Sequence, residues 1–288
     1  MTLSAPIAPR GDRLSELTNR LSELTNSRYR SNETLSGPLN EALDAILSHR
    51  SVRDYLPQSI PDHVLGLAVA AAQSAPSSSN LQAWSVIAVE DKGIRDRLNA
   101  VAGNQRQIAQ APLLLVWLAD LSRPRDIAEA QGRPAEGLDY VESFLLGVID
   151  AALAAQNAVV ALESLGLGTC YIGGIRNDPE TVARELGLPD GAFPVFGLTV
   201  GYPDPVKPAD IKPRLSQAAI LHRDRYDSAA HRPALAAYNE ALGSFQAEQA
   251  MPRIDWTDQV SSRIGTVAAL KGRHILKGAI RKLGFALK

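Results

Sequence analysis

The chain has 288 residues, 45% of them hydrophobic, which is enough to bury one sizeable core. A formal net charge of −1 excludes a global field that would gather nucleic acid or anionic lipid. The single cysteine, Cys170, excludes an intrachain disulfide framework and an all-cysteine zinc site, and suits a reducing compartment such as the cytoplasm.

The N-terminus, MTLSAPIAPRGDR, has no apolar run of signal-peptide length. The longest uninterrupted apolar stretches, such as Ala111–Leu118, fall short of the roughly 20 residues a membrane-spanning helix needs. Residues 1–37 stand apart. RLSELTN occurs twice in tandem from Arg13, placing Leu14, Leu17, Leu21 and Leu24 at heptad spacing. The segment could form a short amphipathic helix, but two heptads are too few for an isolated coiled coil, so a flexible extension, frayed or docked on a partner subunit, is expected.

The globular part is expected from Pro38. Pro38 in a first turn, followed by Leu39, Leu43, Ile46 and Leu47, predicts a helix ending at the HRSVR segment. Ile60–Ala75 predicts a second helix, Trp84–Glu90 a strand, Ile94–Ala102 a helix and Ala111–Ala119 a buried central strand. Residues 121–139 carry two prolines, two glycines and many charges, which predicts a mobile insertion. Val141–Leu165 predicts a helix apolar on nearly every face, buried in a monomer core or between subunits. A short strand ending at Tyr171–Gly174, a helix over Pro179–Leu186 and a buried strand over Val195–Gly201 follow. This mixed order lacks a clean βαβ repeat and favours an α+β sandwich. No Gly-x-Gly-x-x-Gly turn opens a helix, which argues against a Rossmann dinucleotide site.

Four segments carry chemistry. His49, Arg50, Ser51 and Arg53 offer an imidazole, a hydroxyl and two guanidiniums in five residues. Guanidiniums suit phosphate because their planar fork donates two parallel hydrogen bonds, although a basic helix end would also complement the helix dipole. The serines at 77–79 put hydroxyls and backbone N–H groups between a helix and a strand, as a solvated loop also would. Gly173 and Gly174 after a strand permit close approach of a flat ligand, or a tight turn. Lys212 and Arg214 flank Pro213, presenting two cations on an extended segment that suits phosphate, a ring bearing negative charge, or solvent.

Taken in order, HRSVR, PSSSNLQ, the Gln of AGNQ before AQAP, YIGGIRN, FGLTVGYP and KPRL resemble the nitroreductase superfamily from about Leu39 to the C-terminus. Leu221-His222 and Trp256-Thr257-Asp258 extend the likeness, which is closest to the branch of NADPH-dependent group A nitroreductases and flavin reductases. The resemblance implies an α+β three-layer sandwich with a central, mostly antiparallel sheet, in an intertwined homodimer with FMN at the subunit interface. It implies FMN contacts from His49, Arg50, Ser51, Arg53, Ser77, Ser79, Gln105, Tyr171, Ile172, Gly173, Gly174, Lys212 and Arg214.

The implied activity is ping-pong hydride transfer through flavin N5 from NADPH, or NADH, to nitroaromatics, quinones, free flavin or metal oxyanions, with no protein acid or nucleophile. Arg253, in a segment that is a mobile basic loop in related proteins, is the candidate for the NADPH 2′-phosphate; a surface arginine with no partner is the alternative. Asn80 stands where several relatives place an aromatic residue, which puts substrate preference in question. Cys170 reads as packing rather than redox chemistry. His63 and His222 read as surface or supporting residues, and no spacing suggests a metal site.

The tail, from about residue 226 to 288, is expected to pack on a partner subunit. Its last 26 residues hold seven Lys or Arg and no acid, a composition that also suits an anionic membrane. An FMN carrier or regulator with little turnover, and other flavin chemistries such as dehalogenation or azoline oxidation, remain alternative readings.

Overall fold

The computed structural model describes residues 10–31 and 33–288, with backbone alone for 10–15. The stretch read for a leader before residue 10 and the side chain of Leu14 lie outside the described residues. In chain order the elements are α1 (Arg10–Tyr29), α2 (Glu41–Leu47), α3 (Asp62–Gln73), β1 (Trp84–Val89), α4 (Lys92–Val101), α5 (Arg106–Gln110), β2 (Leu113–Asp120), α6 (Ser122–Ala130), α7 (Val141–Ser164), β3 (Gly168–Ile172), α8 (Pro179–Leu186), β4 (Ala192–Gly201), α9 (Ala234–Glu248), α10 (Trp256–Ile264) and α11 (Leu276–Lys282). Contacts divide the chain into two compact units. One comprises residues up to Arg50 with Asp210–Gly265, and the other Ser51–Ala209 with Thr266–Lys288.

The second unit is built on a four-stranded sheet of order β1-β2-β4-β3, every pairing antiparallel. All eight residues of β2 are buried. Alternation sends Leu113, Leu115 and Trp117 to one face, against α3 and α7, and Leu114, Val116 and Leu118 to the other, against α4 and α8. Helices on both faces make three layers and explain why the strand reads as one apolar run. In β4 the register slips, with Trp117 facing Phe196 and Leu118 facing Pro194. The bulge accommodates Pro194, which lacks an N–H, and the carbonyl of Val195 accepts from the Arg176 guanidinium.

Two segments differ from expectation. Residues 121–139 form α6 and a 3₁₀ turn at Glu136–Asp139 instead of an irregular insertion. Pro124 falls in the first turn of α6, where its missing N–H has no intrahelical partner to lose. The C-terminus ties this region down, because Lys288 donates through its backbone N–H (2.9 Å) and Nζ (2.8 Å) to Asp139.

Helix α7 is long and apolar enough to span a bilayer by length and composition. Its buried face, including Gly147, Ala151, Ala154, Ala158 and Leu162, marks it as a core helix. It is not buried all round: Leu145, Ile149 and Leu153 form an exposed stripe at 48%, 57% and 40% accessibility. Near the C-terminus, Phe285 packs edge-on against Phe144 with Phe193 beside it.

In the first unit the heptapeptide copies form the continuous helix α1, as their heptad spacing allows. Leu21 and Leu24 are buried with Leu39 and Ile211, and Leu17, Leu35 and Leu47 pack on that cluster. Helix α2 starts at Asn40, whose side chain caps Leu43 N–H at 2.9 Å, so Pro38 belongs to the lead-in and not to the first turn. The start of α10 is capped from α9 instead, where the Asn239 side chain accepts from Trp256 and Thr257 N–H at 3.0 and 3.3 Å.

Candidate functional site

Ser51 lies next to β3 through a parallel bridge to Thr169, and Val52 N–H donates to Thr169 O at 2.9 Å. Val52 is buried under the Tyr55 hydroxyl, which donates to Val52 O at 2.6 Å and pairs with Thr199 Oγ1 at 2.8 Å. Alternation along this extended segment then puts Ser51 and Arg53 on the opposite side from Val52. Arg53 is exposed, and among the described residues its guanidinium bonds only the carbonyl of Ser51, at 3.4 Å.

Strand β3 ends at Ile172, and Gly173–Asn177 turns away as a 3₁₀ segment. The Ile172 side chain is 1% exposed in the core, so this position has only backbone to offer a ligand. Gly174 lies against the AGNQ turn. A Cβ there would stand 2.7 Å from both Ala102 O and Gln105 Nε2, so no side chain fits. The Gln105 amide is held in turn, donating to Ala102 O at 2.9 Å and accepting from Gln107 at 2.7 Å. Tyr171 is partly exposed and stacks edge-on with Phe196, with ring centroids 5.1 Å apart. Burial, then the charge of Glu163, pushes its phenol well above the usual range. Burial likewise raises the Cys170 thiol, with Arg53 opposing, which agrees with a packing role.

The serine loop sits at the other edge of the sheet, before β1, with β2 and β4 between it and β3. That separation is about three strand spacings, roughly 14 Å. Ser77, expected to face a ligand, spends its hydroxyl inside the protein, donating to Asp150 at 2.6 Å and accepting from Gln82 N–H at 2.7 Å. Asp150 also takes the N–H groups of Ser78 and Ala83. Ser79, Asn80 and Gln82 all have positive φ, an uncommon backbone for non-glycine residues, and Ser79 is exposed. The loop borders a cleft of about 280 Å³ that includes Ser77, Asn80, Gln82, Trp84 and Arg123.

Sequence reasoning passed over Asp150, although its signal was present as the one acid within FLLGVIDAALAAQNAVVAL. A carboxylate 2% exposed on an apolar helix needs donors, and the serine loop supplies them.

In the first unit, Arg50 is exposed and reaches only Ser48 O, at 3.5 Å. Arg214 donates to Lys212 O at 3.2 Å and Pro213 O at 3.1 Å. Tyr238 supports the same segment, its hydroxyl donating to Pro213 O at 3.0 Å. A pocket of about 580 Å³ includes Arg28, Tyr29, Arg214, Tyr238 and Trp256 in its wall. Arg253 is not the partnerless arginine that one reading allowed: it is held by Glu240 at 2.6 Å and Asp255 at 3.5 Å.

The Nitroreductase family model matches residues 46–202, and the Nitroreductase family, C-terminal domain model matches residues 212–288. The FMN reductase (NADPH) of Bacillus subtilis (strain 168) is 35% identical over 252 residues, covering 86% of this chain and 99% of the relative. The oxygen-insensitive NADPH nitroreductase of Salmonella typhimurium is 36% identical over 224 residues, covering 77% of this chain and 90% of the relative. The solved structure of NfrA2 from B. megaterium superposes with a TM-score of 0.81 at 37% identity, covering 87% of this chain and all of the other. The chain belongs to the nitroreductase family.

The donor set suits FMN, the cofactor that the family likeness implies. Arg50, Arg53 and Arg214 have no carboxylate within ion-pair distance among the described residues, which leaves their charge available to a phosphate or an electron-rich ring edge. Gly174 is buried against the AGNQ turn, and neither glycine adds a side chain to the turn that follows β3.

Proposed function

We propose that this nitroreductase-family chain is an FMN-dependent NAD(P)H oxidoreductase, working as a homodimer on small electron acceptors such as nitroaromatics, quinones and free flavin. When bound, FMN would supply the hydride and electron chemistry linking NAD(P)H to the second substrate, in a ping-pong cycle. The protein's share is binding and orientation. Arg50, Lys212 and Arg214 would hold the phosphate, with His49 and Ser51 beside it. Arg53 would serve the ring or the nicotinamide side. Backbone at Tyr171–Gly174, with Gln105 behind it, would position the ring edge. A cation beside the ring favours negative charge there, which is the electrostatic contribution such a site makes.

The observation that carries this reading is that Arg50 and Arg214 in the first unit, and Arg53 in the second, each lack a carboxylate partner among the described residues and lie on segments within the two family matches. Arg50→Ala and Lys212→Ala should each weaken FMN retention by about 1.5–3 kcal/mol through loss of a charged hydrogen bond. Flavin-to-protein ratios after gel filtration measure this, and full flavin content in both variants would remove the assignment.

Two observations support a dimeric site. The serine loop and the Gly173-Gly174 turn occupy opposite edges of one sheet, and the apolar stripe Leu145, Ile149, Leu153 on α7 is uncovered within the chain. A second copy would supply the missing edge and cover the stripe.

Arg253 is the candidate for the NADPH 2′-phosphate, which would have to draw it from Glu240. Arg253→Ala should raise KM for NADPH about tenfold, the worth of one charged hydrogen bond, and leave KM for NADH unchanged. Equal effects on the two nucleotides would assign Arg253 to the fold alone.

A further inference from the structure

Both family models begin after α1, and a relative matched along its whole length uses only 87% of this chain. Helix α1 precedes the stretches that both family models match, and its last turn does something specific within its own unit. Arg28 Nη2 donates to the carbonyls of Leu47 (3.0 Å) and His49 (2.9 Å), while Nη1 donates to the carbonyl of Lys212 (3.1 Å). The backbone answers in the other direction, because Arg28 O accepts from Arg214 N–H at 2.8 Å. One guanidinium thus joins the segment leading into His49-Arg50 to the segment carrying Lys212 and Arg214.

The clamp is anchored. Leu21 and Leu24 are buried with Leu39 and Ile211, and Arg20 reaches Asp44 at 2.7 Å and Ser48 Oγ at 2.9 Å. On the far side Arg30 forms a two-pronged pair with Glu248 at 2.6 and 2.7 Å. Among the described residues Arg28 itself has only carbonyl partners, so its positive charge has no carboxylate beside it there. Burial and then the neighbouring Arg214 both depress its pKa, as expected for a cation held without an anion. The wall it shares with Arg214 borders the 580 Å³ pocket.

We propose that Arg28 is a positioning residue for the FMN phosphate. It locks the backbone at His49 and Lys212 so that the side chains of Arg50, Lys212 and Arg214 are presented in fixed register, and it adds a charge of its own. The inference rests on the FMN reading above. A rigid five-donor fork is needed for three carbonyls; an ammonium, a point charge on a flexible stem, cannot hold them in that geometry.

The test uses full-length wild type, Arg28→Ala, Arg28→Lys and Arg20→Ala, each titrated against free FMN and against riboflavin by quenching of flavin fluorescence. Riboflavin lacks the phosphate and carries the same ring. Both Arg28 variants should lose FMN affinity by about tenfold or more while riboflavin affinity stays within about twofold. Arg20→Ala, which removes one anchor of the helix and leaves the three Arg28 hydrogen bonds in place, should keep the wild-type preference for FMN over riboflavin. Arg28→Lys preserves charge and bulk, so it carries the test if Arg28→Ala does not fold. The proposal is overturned if both Arg28 variants retain that preference, if they lose riboflavin equally, or if Arg20→Ala collapses it to the same extent. A wild-type protein that binds neither flavin overturns the FMN reading itself, and the clamp's role with it.

Discussion

Asp150→Ala is expected to lower the stability of the protein by about 3–5 kcal/mol and to release the serine loop. The carboxylate is 2% exposed and satisfies three donors at once: the Ser77 hydroxyl, Ser78 N–H and Ala83 N–H. Removing it strips the buried Ala83 N–H and the half-buried Ser77 hydroxyl of their acceptor, each an unmet desolvation cost, and frees Ser78 N–H. For a chain of this size the loss corresponds to a drop in Tm of roughly 10 °C, read by calorimetry or circular dichroism. Ser77→Ala removes one donor and keeps the acceptor for the other two, so it should cost about 1 kcal/mol. An Asp150→Ala protein melting with the wild type would show that the loop is held by something else.

The second large effect concerns assembly. Ile149 is 57% exposed in the middle of the stripe that Leu145 and Leu153 continue along α7. Ile149→Asp removes no buried contact within the chain, so the isolated fold should keep its secondary structure. In the proposed dimer it would bury an unpaired carboxylate in an apolar interface, which costs several kcal/mol, about a hundredfold or more in dimer affinity. Sedimentation velocity should then show a monomer, and flavin content should fall with it because the site is proposed to need both copies. A variant sedimenting as the wild type would move the interface elsewhere on the molecule.

Much of the architecture was legible because periodicity reports burial directly. The eight-residue run of β2 reads as a strand covered on both faces, and α8 matches its expected limits from Pro179 to Leu186. What escaped depends on contacts made far away in sequence. Pro124 and the charges of 121–139 look like loop chemistry, yet the proline falls in a helix's first turn and Asp139 is fixed by the C-terminal Lys288. Leu21 and Leu24 repeat at heptad spacing as a coiled-coil end would, but they find their partners in Leu39 and Ile211.

At the candidate site, residue types were legible and their commitments were not. HRSVR and KPRL announce cations, but nothing in those motifs says that Arg28 ties their backbones together. Ser77 announces a donor, and only the fold shows it turned inward to Asp150. Ile172 follows the exposed Tyr171, and alternation along β3 sends its side chain into the core.

The most direct measurement is the visible spectrum of the purified protein after incubation with FMN and removal of excess, followed by anaerobic addition of NADPH. Retained yellow flavin that bleaches within the mixing time and regains colour when menadione is added is the predicted result. Protein that leaves the column colourless, or that holds flavin indifferent to either nicotinamide nucleotide, would contradict the account.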